Sequence, residues 1–135
     1  MMTESSNKNR VIVDSYAWIE YLKGTETGLK AKNFIDNLEN ELFTLDVCLA
    51  EIKFWALSAN LQFESFVDII RANSNVIETF SNDWLKAAEA KFEKRKTIKN
   101  IGLIDALIIV KSRELKTKIL TGDRHFENEK QTILI

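Results

Sequence analysis

The sequence predicts an α/β fold, a three-layer, mostly parallel sheet of about five strands with helices on both faces. Two observations predict it. Short apolar, β-branched segments alternate along the chain with longer segments of helical periodicity. Acidic residues fall at the carboxyl ends of those short segments or in early turns of the helices, the edge at which parallel sheets bind ligands.

The chain has 135 residues, one domain by length. Residues 1–9 read as a disordered polar tail and 10–135 as the domain. Arg10-Val-Ile-Val-Asp14 is a strand buried on both faces, ending on an acid. Ser15 to Lys23 is helical and Gly24 stops it; Gly28 to Asn40 carries the next helical stripe. Glu41 to Leu45 is a second strand, and Asp46 is suited to cap a helix from Val47 to Ala59. Glu51 lies in the second turn of that helix. Phe63 to Ala72 is helical and Val76 to Phe80 a third strand. Ser81 or Asp83 caps a helix from Trp84 to about Lys96.

The stretch Gly102 to His125 then places Asp105 at the start of a helix apolar nearly all round, over Leu103 to Leu115. It places Asp123 just past a strand at Lys118 to Thr121. Thr132 to Ile135 is a last strand.

Composition bounds the function. Apolar residues make up 45% and charged residues 29%, the balance of a water-soluble domain. Nothing reads as a membrane span or a signal peptide, and one cysteine, Cys48, allows no internal disulfide. These features point to the cytoplasm. A net charge of −1 excludes a strongly basic nucleic-acid binder; setting four acids aside as a metal cluster turns it into +3. Asp14, Glu51, Asp105 and Asp123 would converge at one edge of the predicted sheet. Without a cation they would repel, and Mg²⁺ or Mn²⁺, which take oxygen ligands, would relieve them.

The segments VIVDS, LAEIKFWA and IGLIDALIIVKSRELKTKILTGDRHF resemble those of PIN domains, and more narrowly of the VapC-type toxins of toxin–antitoxin pairs. The likeness covers most of residues 10–135, with the middle, 60–97, adding only length and helicity. It implies a Rossmann-like sheet and a metal-dependent endoribonuclease, in which metal-activated water hydrolyses an RNA phosphodiester. The family's four acids fall on Asp14, Glu51, Asp105 and Asp123, as both catalytic residues and metal ligands. Its hydroxyl residues fall on Ser15 and Thr121, which would hold carboxylates or water behind the ligands. Asp46 departs from the family's usual Ser or Pro, a change of cap. The likeness also implies a cognate antitoxin covering the acidic groove, and a homodimer.

Each residue has a plainer reading. Asp14 and Asp123 suit turns, Asp105 suits a helix N-terminus, and Glu51 a solvated helix face. His125, the single histidine, is tempting as a base but suits packing or capping after Asp123. Cys48 suits the core. Trp18, Trp55 and Trp84 suit base stacking or packing, with packing favoured for the last two. Trp18, Tyr21 and Leu22 are candidates for a partner groove. Lys94-Arg95-Lys96 suits either phosphates or a solvated helix end. Lys23, Lys53, Lys99, Arg113 and Arg124 are candidate RNA contacts.

Rival functions are a PIN nuclease without an antitoxin, a phosphotransfer domain and a non-catalytic binding module. A haloacid-dehalogenase-type phosphatase wants a second Asp two residues after the first, where this chain has Tyr16. A receiver domain wants an Asp ending the third strand, where Val76 to Phe80 offers only Glu78.

Overall fold

The central strand is β1, Asn9–Val13, in a computed structural model that describes residues 8–135. The expected tail thus lies outside the described residues as far as residue 7, and Asn9 already belongs to the strand. Around β1 come α1 (Ser15–Lys23), α2 (Glu26–Ile35), β2 (Asn40–Leu45), α3 (Asp46–Ser58), α4 (Phe63–Asn73) and β3 (Asn75–Ile77). There follow α5 (Ser81–Lys94), α6 (Leu103–Leu115), β4 (Lys118–Thr121), a 3-10 turn (Arg124–Phe126) and β5 (Thr132–Leu134). The strands stand in the order β3-β2-β1-β4-β5, and every pairing is parallel. The expected sheet and its strand count are therefore present. Among the described residues, no helix is long and apolar enough to cross a membrane.

The run Val11-Ile12-Val13 is fully buried because both faces of β1 are covered. Alternate residues feed two cores. Ile12, Phe43, Leu45 and Ile119 point to one side, where α5 and α6 supply Ala87, Ala106, Leu107 and Ile109. Val11, Val13, Leu42 and Leu120 point to the other, where α1, α2, α3 and α4 supply Ala17, Trp18, Ala31, Ile35, Ile52 and Ile70. Trp18 is fully buried and its indole N–H donates to Thr44 Oγ1 at 3.0 Å. That removes it both from base stacking and from a partner groove. Tyr21 and Leu22 are likewise half-buried against this core.

Tertiary partners set the boundaries that periodicity missed. α2 begins two residues earlier than expected because Thr25 caps it, its Oγ1 accepting from the Gly28 N–H at 3.0 Å. It ends at Ile35, and the side-chain amide of Asn40 donates to Phe34 O at 2.8 Å to turn the chain into β2. Gly28 lets α2 lie against α1: a Cβ there would stand 2.0 Å from Glu20 O.

Asp46 is no cap. It is the first residue of α3, and its carboxylate accepts from the Thr79 N–H at 2.9 Å and from the Thr79 hydroxyl at 2.8 Å. This clasp draws the chain off β2, so β3 stops at Ile77 rather than Phe80. α5 then starts at Ser81, with the Asp83 carboxylate in its first turn accepting from the Phe80 N–H at 2.9 Å.

Candidate active site at the carboxyl edge

The chain leaves β1 for β2 on one side and returns to β4 on the other. The crevice beyond the carboxyl ends of β1 and β4 is therefore the topological switch point, where ligands bind in such sheets. Val13 pairs with Leu120, so the residues that follow each strand emerge side by side.

Asp14 follows β1 directly. Its N–H donates to Leu120 O at 3.2 Å, and its Oδ1 accepts from the Ala17 N–H at 2.9 Å, capping α1. Its Oδ2 accepts from the Thr121 hydroxyl. Only 4% of Asp14 is exposed. Burial pushes its carboxyl up to about 7; the Thr121 and Ala17 hydrogen bonds oppose this, and the charges of Asp123 and Glu51 add to it. Thr121, fully buried, also accepts from the Asp123 N–H at 2.9 Å. One hydroxyl thus ties the ends of both central strands together.

Glu51 projects from α3, and its Oε1 accepts from the Ser15 hydroxyl at 2.8 Å. Burial raises its carboxyl, the Ser15 hydrogen bond lowers it, and the charge of Asp105 raises it again. Asp105 lies in the first turn of α6, where its Oδ2 accepts from the Gly102 N–H at 3.0 Å. Asp123 caps the 3-10 turn, its Oδ1 accepting from the His125 N–H at 2.8 Å.

Asp105, Asp123 and His125 come together, each offering a ligand atom within 4.8 Å of the others. Asp14 and Glu51 are not members of that group. Asp14 reaches it through Thr121, and Glu51 feels it through the charge of Asp105. Ser15 and Thr121 each donate a hydrogen bond to one of these carboxylates, Glu51 and Asp14.

His125 is the residue whose place sequence reasoning undervalued. Its backbone N–H donates to the capping carboxylate of Asp123, and Phe126 packs in the core. Its ring, however, lies on both acids, Nδ1 standing 3.1 Å from Asp105 Oδ2 and 3.3 Å from Asp123 Oδ1. The available signal was the spacing Asp123-x-His125, which a tight turn converts into proximity.

Other candidates are committed elsewhere. Cys48 is fully buried, and burial pushes its thiol well up. Trp55 packs on Phe66, and Trp84 packs against the core. Lys94 and Arg113 both pair with Glu129, at 2.6 and 3.0 Å. Arg95 lies 4.0 Å over the Phe92 ring and Lys53 5.6 Å over that of Phe63. Lys23 pairs with Glu20 and Arg124 with Glu127. Lys99 and Arg124 line a recess beside His125.

Comparison with known proteins agrees with this geometry. The family model of the PIN domain matches residues 11–130. Among solved structures, VapBC2 from Rickettsia felis, bound to a DNA fragment from its promoter, superposes with a TM-score of 0.69 at 17% identity, covering 93% of this chain and 97% of that one. VapC20 from Mycobacterium tuberculosis, described as a sarcin-ricin loop cleaving toxin, gives 0.66 at 15% identity over 80% and 85%. VapBC-1 from nontypeable Haemophilus influenzae gives 0.66 at 17% identity over 93% and 96%. At these identities the likeness is one of fold. A search of curated proteins finds no match. The model match, spanning nearly the whole described chain, identifies it as a member of the PIN domain family.

Proposed function

We propose that this chain is a metal-dependent endoribonuclease of the cytoplasm, using Mg²⁺ or Mn²⁺, and the toxin of a toxin–antitoxin pair. One observation carries the reading. Asp14, Glu51, Asp105 and Asp123 crowd one edge, and among the described residues none of them pairs with a lysine or arginine. Their oxygen donors fit a hard divalent cation, which would neutralise the repulsion that helps raise Asp14 and Glu51. A cation bound there supplies Lewis-acid polarisation of phosphoryl oxygens and a lowered pKa for water.

The chain's own groups do the rest. Asp14, Asp105 and Asp123 would hold the cation, with Asp14 oriented by the Ala17 N–H and the Thr121 hydroxyl. Ser15 engages Glu51 Oε1, which leaves Oε2 to orient the attacking water and take its proton. Lys99 and Arg124, in the recess beside His125, meet RNA phosphates.

The partner reading rests on the surface next to these acids. Tyr16, Ile19, Val47, Phe54 and Ile104 line an apolar recess that Ser15 and Glu51 share. An antitoxin segment seated there would cover the acids. The solved likenesses include a toxin–antitoxin complex from Klebsiella pneumoniae, at 16% identity and a TM-score of 0.68. Exposed Leu85 and Phe92, seven apart on α5, offer one apolar stripe to a second copy in a homodimer.

The test is cleavage of an RNA panel with Mg²⁺ or Mn²⁺, by wild type and Asp14→Asn. Cleavage by the wild type that a chelator and the substitution both abolish is expected. Metal binding with no cleavage of any RNA would overturn the nuclease reading. Failure to capture an antitoxin encoded beside the chain would leave a PIN nuclease without one, and sedimentation as a monomer would remove the homodimer.

A further inference from the structure

His125 Nδ1 stands 3.1 Å from Asp105 Oδ2 and 3.3 Å from Asp123 Oδ1. Two ligand atoms at right angles around a divalent cation, each bonded at roughly 2.1 Å, lie ~3.0 Å apart. Both separations are close to that edge length. A single Nδ1–H shared between two carboxylates satisfies neither fully, whereas a lone pair at the same place completes a set of three donors.

Each of the three donors is held in place. Gly102 N–H fixes Asp105 Oδ2, and the His125 N–H fixes Asp123 Oδ1. Phe126, buried in the core, anchors the turn that carries the ring. The imidazole is 36% exposed, so an ion can reach it from solvent.

We propose that His125 ligates, through Nδ1, the cation held by Asp105 and Asp123, and that it shifts the site's preference from Mg²⁺ towards Mn²⁺. The inference rests on the metal-dependent reading above and concerns a donor beyond the four acids. Mg²⁺ binds oxygen and dehydrates reluctantly, while imidazole is a better ligand for transition ions. The ring ligates as the neutral tautomer with its proton on Nε2. His125→Asn replaces the nitrogen donor with an amide and keeps a polar side chain.

The test is electron spin-echo spectroscopy of bound Mn²⁺, with Mn²⁺ and Mg²⁺ affinities measured by competition. Wild type is expected to show ¹⁴N modulation from the imidazole. His125→Asn is expected to lose it, and its Mn²⁺/Mg²⁺ affinity ratio to fall about tenfold or more. Mn²⁺ bound to the wild type without nitrogen modulation overturns the proposal and leaves the metal-dependent reading standing. An unchanged affinity ratio in a folded His125→Asn overturns the selectivity. No Mn²⁺ binding to the wild type overturns both. Should the variant not fold, the wild-type spectrum alone decides the ligand.

Discussion

Asp14→Asn should stabilise the metal-free protein while abolishing its activity. Asp14 is almost wholly buried, and its carboxyl is pushed from 3.8 up to about 7, first by burial and then by the charges of Asp123 and Glu51. A carboxyl whose folded pKa lies above its unfolded one holds its proton more tightly when folded. Stability therefore falls as pH rises from about 4 to about 7, and above that the full penalty is present. Three units at about 1.36 kcal/mol each give about 4 kcal/mol at pH near 8. By about pH 5 roughly 2 kcal/mol remains, and by about pH 4 under about 1.

Asparagine carries no charge and so escapes the penalty. It loses the charge-assisted hydrogen bond from the Thr121 hydroxyl, worth about 1.5 kcal/mol or slightly more. In chelator near pH 8 the variant should therefore be more stable by about 2–3 kcal/mol, and the advantage should vanish towards about pH 4. Urea denaturation across that pH range is the assay. Mg²⁺ should then stabilise wild type more than the variant, because ligand binding adds to the stability of whichever form binds it. A variant less stable than wild type near pH 8 in chelator would refute the reasoning, and so would a gain that does not change with pH.

Three further outcomes are expected. Gly28→Ala should destabilise by about 3 kcal/mol in urea denaturation, because the new methyl would meet the Glu20 carbonyl, and backbone cannot step aside as a flexible side chain can. Thr121→Val should weaken Mn²⁺ binding by about 10–100-fold in calorimetry, since Asp14 loses its donor and the Asp123 N–H its acceptor. Asp46→Ala should cost about 1–3 kcal/mol of stability, read the same way, by leaving the Thr79 N–H and hydroxyl without their partner.

Local chemistry made some of this structure legible. Three β-branched residues before Asp14 announced a strand covered on both faces, and β1 has both faces covered. Gly24 ends α1 at a φ of 70°, a conformation that glycine adopts without strain. The acids were legible because each follows or interrupts an apolar segment. What stayed hidden depends on distant partners. Asp46 looked like a cap because nothing in its own segment reveals Thr79, 33 residues on. Trp18 looked exposed because α1 alone does not show Thr44 of β2, 26 residues on, beneath it. His125 looked like a spectator because only the fold brings Asp105, 20 residues earlier, against its ring.

The bond between Thr121 and Asp14 joins residues 107 apart in sequence. A ribosome makes Asp14 early and Thr121 late, and β1 lacks its β4 neighbour until then. The acids cannot converge before Asp105 and Asp123 have been made, more than 90 residues after Asp14. The carboxyl-edge crevice therefore takes shape only once β4 has been made and has paired with β1.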